Sequence, residues 1–174
     1  MKLLTGMLGF VGTLMFVMAA FQPSQAQITT EQAQQGKVLP RNGWRVIETT
    51  MAIDELLDSL KKAIREEDML LVSMASASRG AKANGFEIPG NYVIGVFRND
   101  FARRMLAASV QAGIEAPVRF YLTENPDGTA TLSWKTPSFV FQPYRATASE
   151  DLVSLSEELD VIFQRIADRA TDNT

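Results

Sequence analysis

Two alternating runs on either side of a turn do most to limit how this chain can fold. Val118, Phe120 and Leu122 alternate with Arg119, Tyr121 and Thr123. After Pro126-Asp127-Gly128, Ala130, Leu132 and Trp134 alternate with Thr129, Thr131, Ser133 and Lys135. A period of two puts one face in a core and the other toward water, and Asp-Gly between such runs signals a hairpin. Pro137 ends the second run, since proline cannot donate to a strand ladder. An apolar sheet face must be covered by another layer.

The covering layer is legible as helices. Ile53, Leu56, Leu57, Leu60 and Ile64 share one helical face. Asp54, Glu55 and Asp58 come early and Lys61, Lys62 and Arg65 late, an order that suits the helix dipole. Asp58 is spaced to pair with Lys62 one turn on. A second helix is expected to start from Asn99 as cap, to bury Phe101, Met105, Leu106 and Val110, and to stop at Gly113. A third follows the capping box Thr147-x-x-Glu150 and carries Leu152, Leu155, Leu159, Ile162, Phe163 and Ile166 on one stripe. Trp44–Thr49, Met69–Met74 and Tyr92–Phe97 read as further strands, the last covered on much of both faces. Between them, Ala75–Gly85 suits a short helix and Ile88-Pro89-Gly90 a turn. Strands with one wet side and three helices to cover the other describe a single α+β two-layer domain over residues 44–170.

What precedes the domain reads as an export leader. Lys2 is followed by Leu3–Phe21, which carries no charge, and then by Gln22-Pro23-Ser24-Gln25-Ala26. Small residues at Ser24 and Ala26 make a peptidase site between Ala26 and Gln27. Residues 1–26 are therefore expected to be a signal peptide, and the protein to be exported to the periplasm or beyond. The competing reading is an uncut anchor, since 19 apolar residues at about 1.5 Å each nearly span a bilayer. The small-x-small site favours cleavage, so a membrane is expected to matter only if the segment stays attached. Residues 27–43 are polar and glutamine-rich and read as a flexible lead; residues 171–174 read as a frayed tail.

Removing 26 of 174 residues leaves 148, enough for one domain with a real core. The leader's only charge is Lys2, so 16 basic and 20 acidic residues remain, a net charge of −4. That balance argues against a general nucleic-acid binder. The chain has no Cys and no His. Disulfides, thiolate zinc sites, cysteine nucleophiles, histidine triads, histidine-ligated haem and type-1 copper are all excluded by that absence. No cofactor and no metal is expected.

The segment Tyr92–Pro137 resembles the family known as domain of unknown function 302. The resemblance rests on the apolar strand ending at Phe97, on Asn99, and on Glu115-Ala116-Pro117-Val118-Arg119. The strand to Glu124, Asp127-Gly128 and Trp134-x-x-Pro137 complete it. With the Asp54–Glu66 helix and Gly85-Phe86-Glu87-Ile88, it extends over roughly Trp44–Ile166. It implies an antiparallel sheet with helices packed on one face, often in dimers, and it implies no activity. Asp100 and Ala116 stand where the family usually has Pro and Leu. Met74–Arg79 lacks the Asp-His pair that many members carry, so a role resting on that pair is not carried over.

Candidate ligand-binding residues are Arg119, Tyr121 and Tyr144. Arg119 shares a strand face with Tyr121 and Thr123 and could offer a guanidinium to an anion. Glu124 has no second carboxylate that the sequence places beside it, so a glycosidase-like pair is unsupported. Gly80, Gly85 and Gly90 lack the Lys and Ser or Thr of a phosphate loop. Arg79, Lys82, Arg103 and Arg104 read as solvated helix faces. Trp44, Trp134, Phe139, Phe141 and Tyr144 supply aromatic surface for packing or for a groove. The leading expectation is a non-enzymatic envelope domain that binds a small or lipid-like ligand, or a partner protein. A hydrolase or isomerase using carboxylate, Arg and Tyr is the second reading. A homodimeric structural or accessory component of an envelope complex is the third.

Overall fold

A computed structural model describes residues 37–172 of the chain. The expected signal peptide, its Ala26–Gln27 site, residues 27–36 of the lead and residues 173–174 lie outside them. The elements are β1 (Trp44–Glu48), α1 (Ile53–Glu66), β2 (Leu70–Ala75), α2 (Ala77–Ala83), β3 (Asn91–Phe97) and α3 (Asn99–Ala108). A 3-10 turn (Gln111–Glu115) leads to β4 (Val118–Glu124) and β5 (Ala130–Lys135), then α4 (Pro137–Val140) and α5 (Asp151–Thr171). No helix among the described residues is long and apolar enough to cross a membrane.

The five strands form one sheet in the order β1-β5-β4-β3-β2, every neighbouring pair antiparallel. The helical layer lies on one face, so the architecture is the expected α+β two-layer domain. The hairpin alternation sets the inward set. Phe120, Leu122, Leu132 and Trp134 are fully buried and meet Leu56, Leu57, Leu60 and Ile64 of α1. Phe163 of α5 stacks on Phe120 with ring centres 4.7 Å apart, and Trp134 packs against the same ring at 5.5 Å. Fully burying such side chains is worth about 1.5–3 kcal/mol each. Glu67, just past α1, accepts from Arg165 at 2.8 Å and Arg169 at 2.9 Å of α5, which ties the two long helices together.

Several local expectations are corrected. Asp58 bonds Lys61 at 2.9 Å, while Lys62 reaches Glu66 at 3.8 Å. Asn99 is the first residue of α3, and its side chain does not cap the helix. Leu106, although within α3, is exposed, and so is Val110, which lies past the helix end at Ala108; Gly113 lies inside the 3-10 turn. The Thr147 hydroxyl donates to the Tyr144 carbonyl, so no capping box forms and α5 starts four residues later, at Asp151. Thr131 and Ser133, expected on a wet face, are fully shielded. The Thr131 hydroxyl donates to Asn125 Oδ1 at 3.0 Å, and Ser133 is a small residue between Val46 and Tyr121 on the same face.

Candidate functional site

The sheet face opposite the helices carries Trp44, Val46, Val93, Arg119, Tyr121 and Lys135. These side chains line or flank a recess of about 360 Å³ whose remaining wall includes Glu115 and Val140. Local sequence explains each position. Gly43 has φ +72°, which a glycine adopts without strain, and the Phe139 ring occupies the place a Cβ would take. The turn lets Trp44 N–H donate to the Arg41 carbonyl, and Thr136 N–H to the Gly43 carbonyl, both at 2.9 Å. Trp44 is thereby set opposite Lys135 at the edge of the sheet.

The hairpin register pairs Phe120 with Trp134 and Tyr121 with Ser133. Arg119 and Lys135, the next residues along, are therefore neighbours on the open face. On its other side Arg119 faces Gly95, where the Pro117 ring and the Ser73 hydroxyl lie against bare backbone. Lys135 Nζ lies 5.6 Å, and the Arg41 guanidinium 5.3 Å, from the Trp44 ring centre. Among the described residues neither Arg119 nor Lys135 takes part in a salt bridge. Like charges on adjacent strands repel unless something lies between them.

Of the three candidates, the structure brings Arg119 and Tyr121 together in the recess. Tyr144 stands behind its wall, where its hydroxyl donates to Glu115 Oε1 at 2.8 Å. That hydrogen bond, with smaller contributions from desolvation and the carboxylate charge, raises the Tyr144 pKa. Among the described residues Glu115 is the single carboxylate lining the recess. Sequence reasoning named Trp44 only among aromatics suited to packing or a groove, and missed Lys135 as a site residue. A signal existed, because a hairpin centred on Asp127 sets residues 119 and 135 side by side.

The other candidates have structural partners. Glu124 Oε2 accepts the Gly90 N–H at 2.6 Å and its own N–H donates to the Gly90 carbonyl at 2.9 Å. Arg104 pairs with Glu158 at 2.7 Å, and Arg79 lies over the Tyr92 ring. Trp134 and Phe141 are core residues. A second recess of about 420 Å³, around Arg45, Arg145 and Asp160, is polar. There Asp160 accepts the Ser138 N–H and Arg145 donates to the Ser138 carbonyl. Among the described residues no group of three acidic side chains is placed to hold a metal.

The model of the family described as "Domain of unknown function DUF302" matches residues 46–169. The chain belongs to the DUF302 family. A crystal structure of an uncharacterized conserved DUF302 protein from Bacillus stearothermophilus is similar to it, with 13% sequence identity and a TM-score of 0.66. The likeness covers 75% of this chain and 99% of that one, and at this identity it shows the fold. None of the curated proteins matches the chain. In this DUF302 domain the recess therefore has to be read from its own chemistry.

Proposed function

We propose that this DUF302 domain is a binding module for an amphipathic anion, a small or lipid-like molecule with an apolar body and a carboxylate, sulfate or phosphate head. The observation that carries the reading is the adjacent Arg119–Lys135 pair, without a salt-bridge partner among the described residues, beside Trp44, Tyr121 and Val93. A head group between the two cations would relieve their repulsion, and the aromatic and aliphatic surface would take the body. The recess has the volume of a small-molecule site. Tyr144 holds the one nearby carboxylate by its hydrogen bond, turned to a partner of its own. A hydrolase built on two carboxylates has no support from a recess in which Glu115 is the one carboxylate among the described residues. Export is part of the same proposal and rests on the Lys2–Ala26 sequence; an intact mass beginning at Gln27 would support it.

The test uses dodecyl phosphate, dodecanoate and dodecanol below their aggregation concentrations, titrated calorimetrically into the purified protein. The two anions should bind at least tenfold more tightly than the alcohol. Arg119→Ala and Lys135→Ala should each weaken anion binding by about tenfold, as loss of a charge-assisted hydrogen bond does. Equal binding of the alcohol, or no effect of Arg119→Ala, would refute the reading.

A further inference from the structure

The polar recess has a chemistry of its own. It measures about 420 Å³ and opens where the turn before β1, the end of β5, α4 with the segment after it, and α5 converge. Pockets that hold small molecules run from about 300 to 1,000 Å³. Hydrogen bonds fix its frame. The Thr136 N–H donates to the Gly43 carbonyl at 2.9 Å, which ties the turn to the end of β5. Asp160 Oδ1 accepts the Ser138 N–H at 2.8 Å, which pins α4 to α5. Arg145 Nη2 donates to the Ser138 carbonyl at 3.3 Å from the segment beyond α4.

The groups that line this frame are mostly unspent. Among the described residues Arg45 takes part in no salt bridge and no side-chain hydrogen bond, and the Asn42 and Gln142 amides bond to nothing. Arg145 spends one N–H, and Asp160 Oδ2 accepts no hydrogen bond there. The Asp160 carboxylate shares the recess with two arginines, yet among the described residues it pairs with neither. Opposite charges attract at short range. Here the fold holds them apart around an open space.

We propose that this recess binds a hydroxyl-rich carboxylate, a sugar acid. The inference does not depend on the amphipathic-anion reading of the open face. The ligand's carboxylate lies on the Arg45 and Arg145 guanidiniums, whose planar donors match a pair of carboxylate oxygens. Its hydroxyls donate to Asp160 Oδ2, an acceptor that a bare anion would leave unused and repel. Asn42 and Gln142 each offer a donor and an acceptor, which suits hydroxyls, since these also do both. The charge balance agrees. Among the described residues the recess has two cations and one anion, so a single negative group neutralises it.

The test titrates glucuronate, glucose, acetate and glutamate into the protein purified as its host processes it, with binding read by ligand-observed NMR. Glucuronate should bind about tenfold more tightly than glucose, which lacks the carboxylate, and than acetate, which lacks the hydroxyls. Arg45→Gln should weaken glucuronate by about tenfold without moving the melting temperature, because Arg45 has no partner to lose among the described residues. Asp160→Asn keeps an oxygen for the Ser138 N–H and removes the charge, so it should narrow the gap between glucuronate and acetate. Arg119→Ala, in the other recess, should leave glucuronate binding unchanged, and Arg45→Gln should leave dodecyl phosphate binding unchanged, so each reading can fail without the other. Absence of glucuronate binding, equal binding of acetate or glucose, tighter binding of glutamate, or full affinity in Arg45→Gln would each overturn the proposal.

Discussion

The Tyr144 hydroxyl donates to Glu115 Oε1 at 2.8 Å, joining the segment after α4 to the turn that enters β4. Glu115 lines the open-face recess, so this bond holds one of its carboxylate oxygens on a partner of its own. Tyr144→Phe should leave the fold intact, release the carboxylate toward Arg119 and Lys135, and weaken binding of dodecyl phosphate several-fold. The hydroxyl itself should ionise above the ordinary tyrosine value of about 10, because the bond favours its neutral form. Its contribution to stability is complete below that value and is lost as pH rises through the folded pKa. Ultraviolet titration of Glu115→Gln should show the upward shift abolished.

Acid should act through Glu67. Its hydrogen bond from Arg165, reinforced by Arg169 and opposed by desolvation, lowers its pKa. A lowered folded pKa gives stability that is complete above the ordinary glutamate value of about 4.3 and is lost as pH falls below it through the folded pKa. Both arginines are about half exposed, so Glu67→Gln should cost only about 1 kcal/mol at neutral pH. Denaturant melts at pH 7 and pH 3 should converge for wild type and variant at the acid end.

Gly43→Ala should be among the most damaging single-methyl changes. The new Cβ would meet the Phe139 ring and hold φ +72°. Strain and overpacking together should cost about 3 kcal/mol. Adding Phe139→Ala should recover the steric part and leave the backbone part, which a double-mutant cycle on urea melts resolves. Trp44 fluorescence should shift in the single variant, since Gly43 aims that ring.

Phe163→Ala removes the ring stacked on Phe120 beneath the centre of the sheet. A loss of about 3–5 kcal/mol is expected from the cavity and the lost transfer energy. Anion binding to the folded fraction should be unchanged, because Phe163 lies on the helical side of the sheet.

Much of this architecture could be read from residue order, and the exceptions share a cause. Phe120, Leu122, Leu132 and Trp134 were legible because a period of two is a local property, as was the stripe from Leu152 to Ile166. Polarity does not report exposure at Thr131 and Ser133, because one is bonded to Asn125 and the other is overshadowed by larger neighbours. Val110 continues a helical spacing that the backbone abandons at Ala108. In the recess, Arg119 and Tyr121 were visible from their shared face. Trp44 arrives from a strand 75 residues earlier than Arg119, and Glu115 meets Tyr144 without any periodic relation, so neither juxtaposition leaves a local trace.

The strand order also constrains how the molecule can come into being. β1 and β2 follow each other in the chain but occupy opposite rims of the sheet, and β1 has β5 as its neighbour. A chain made from its N-terminus must hold β1 without its partner until Lys135 has emerged, although β2, β3 and β4 can pair with one another before then. Such distant pairing slows folding and prolongs exposure of unsatisfied strands. Nascent chains truncated before Ala130 should stay protease-sensitive and seek chaperones, while those extending through α5 should reach the native state in one late step.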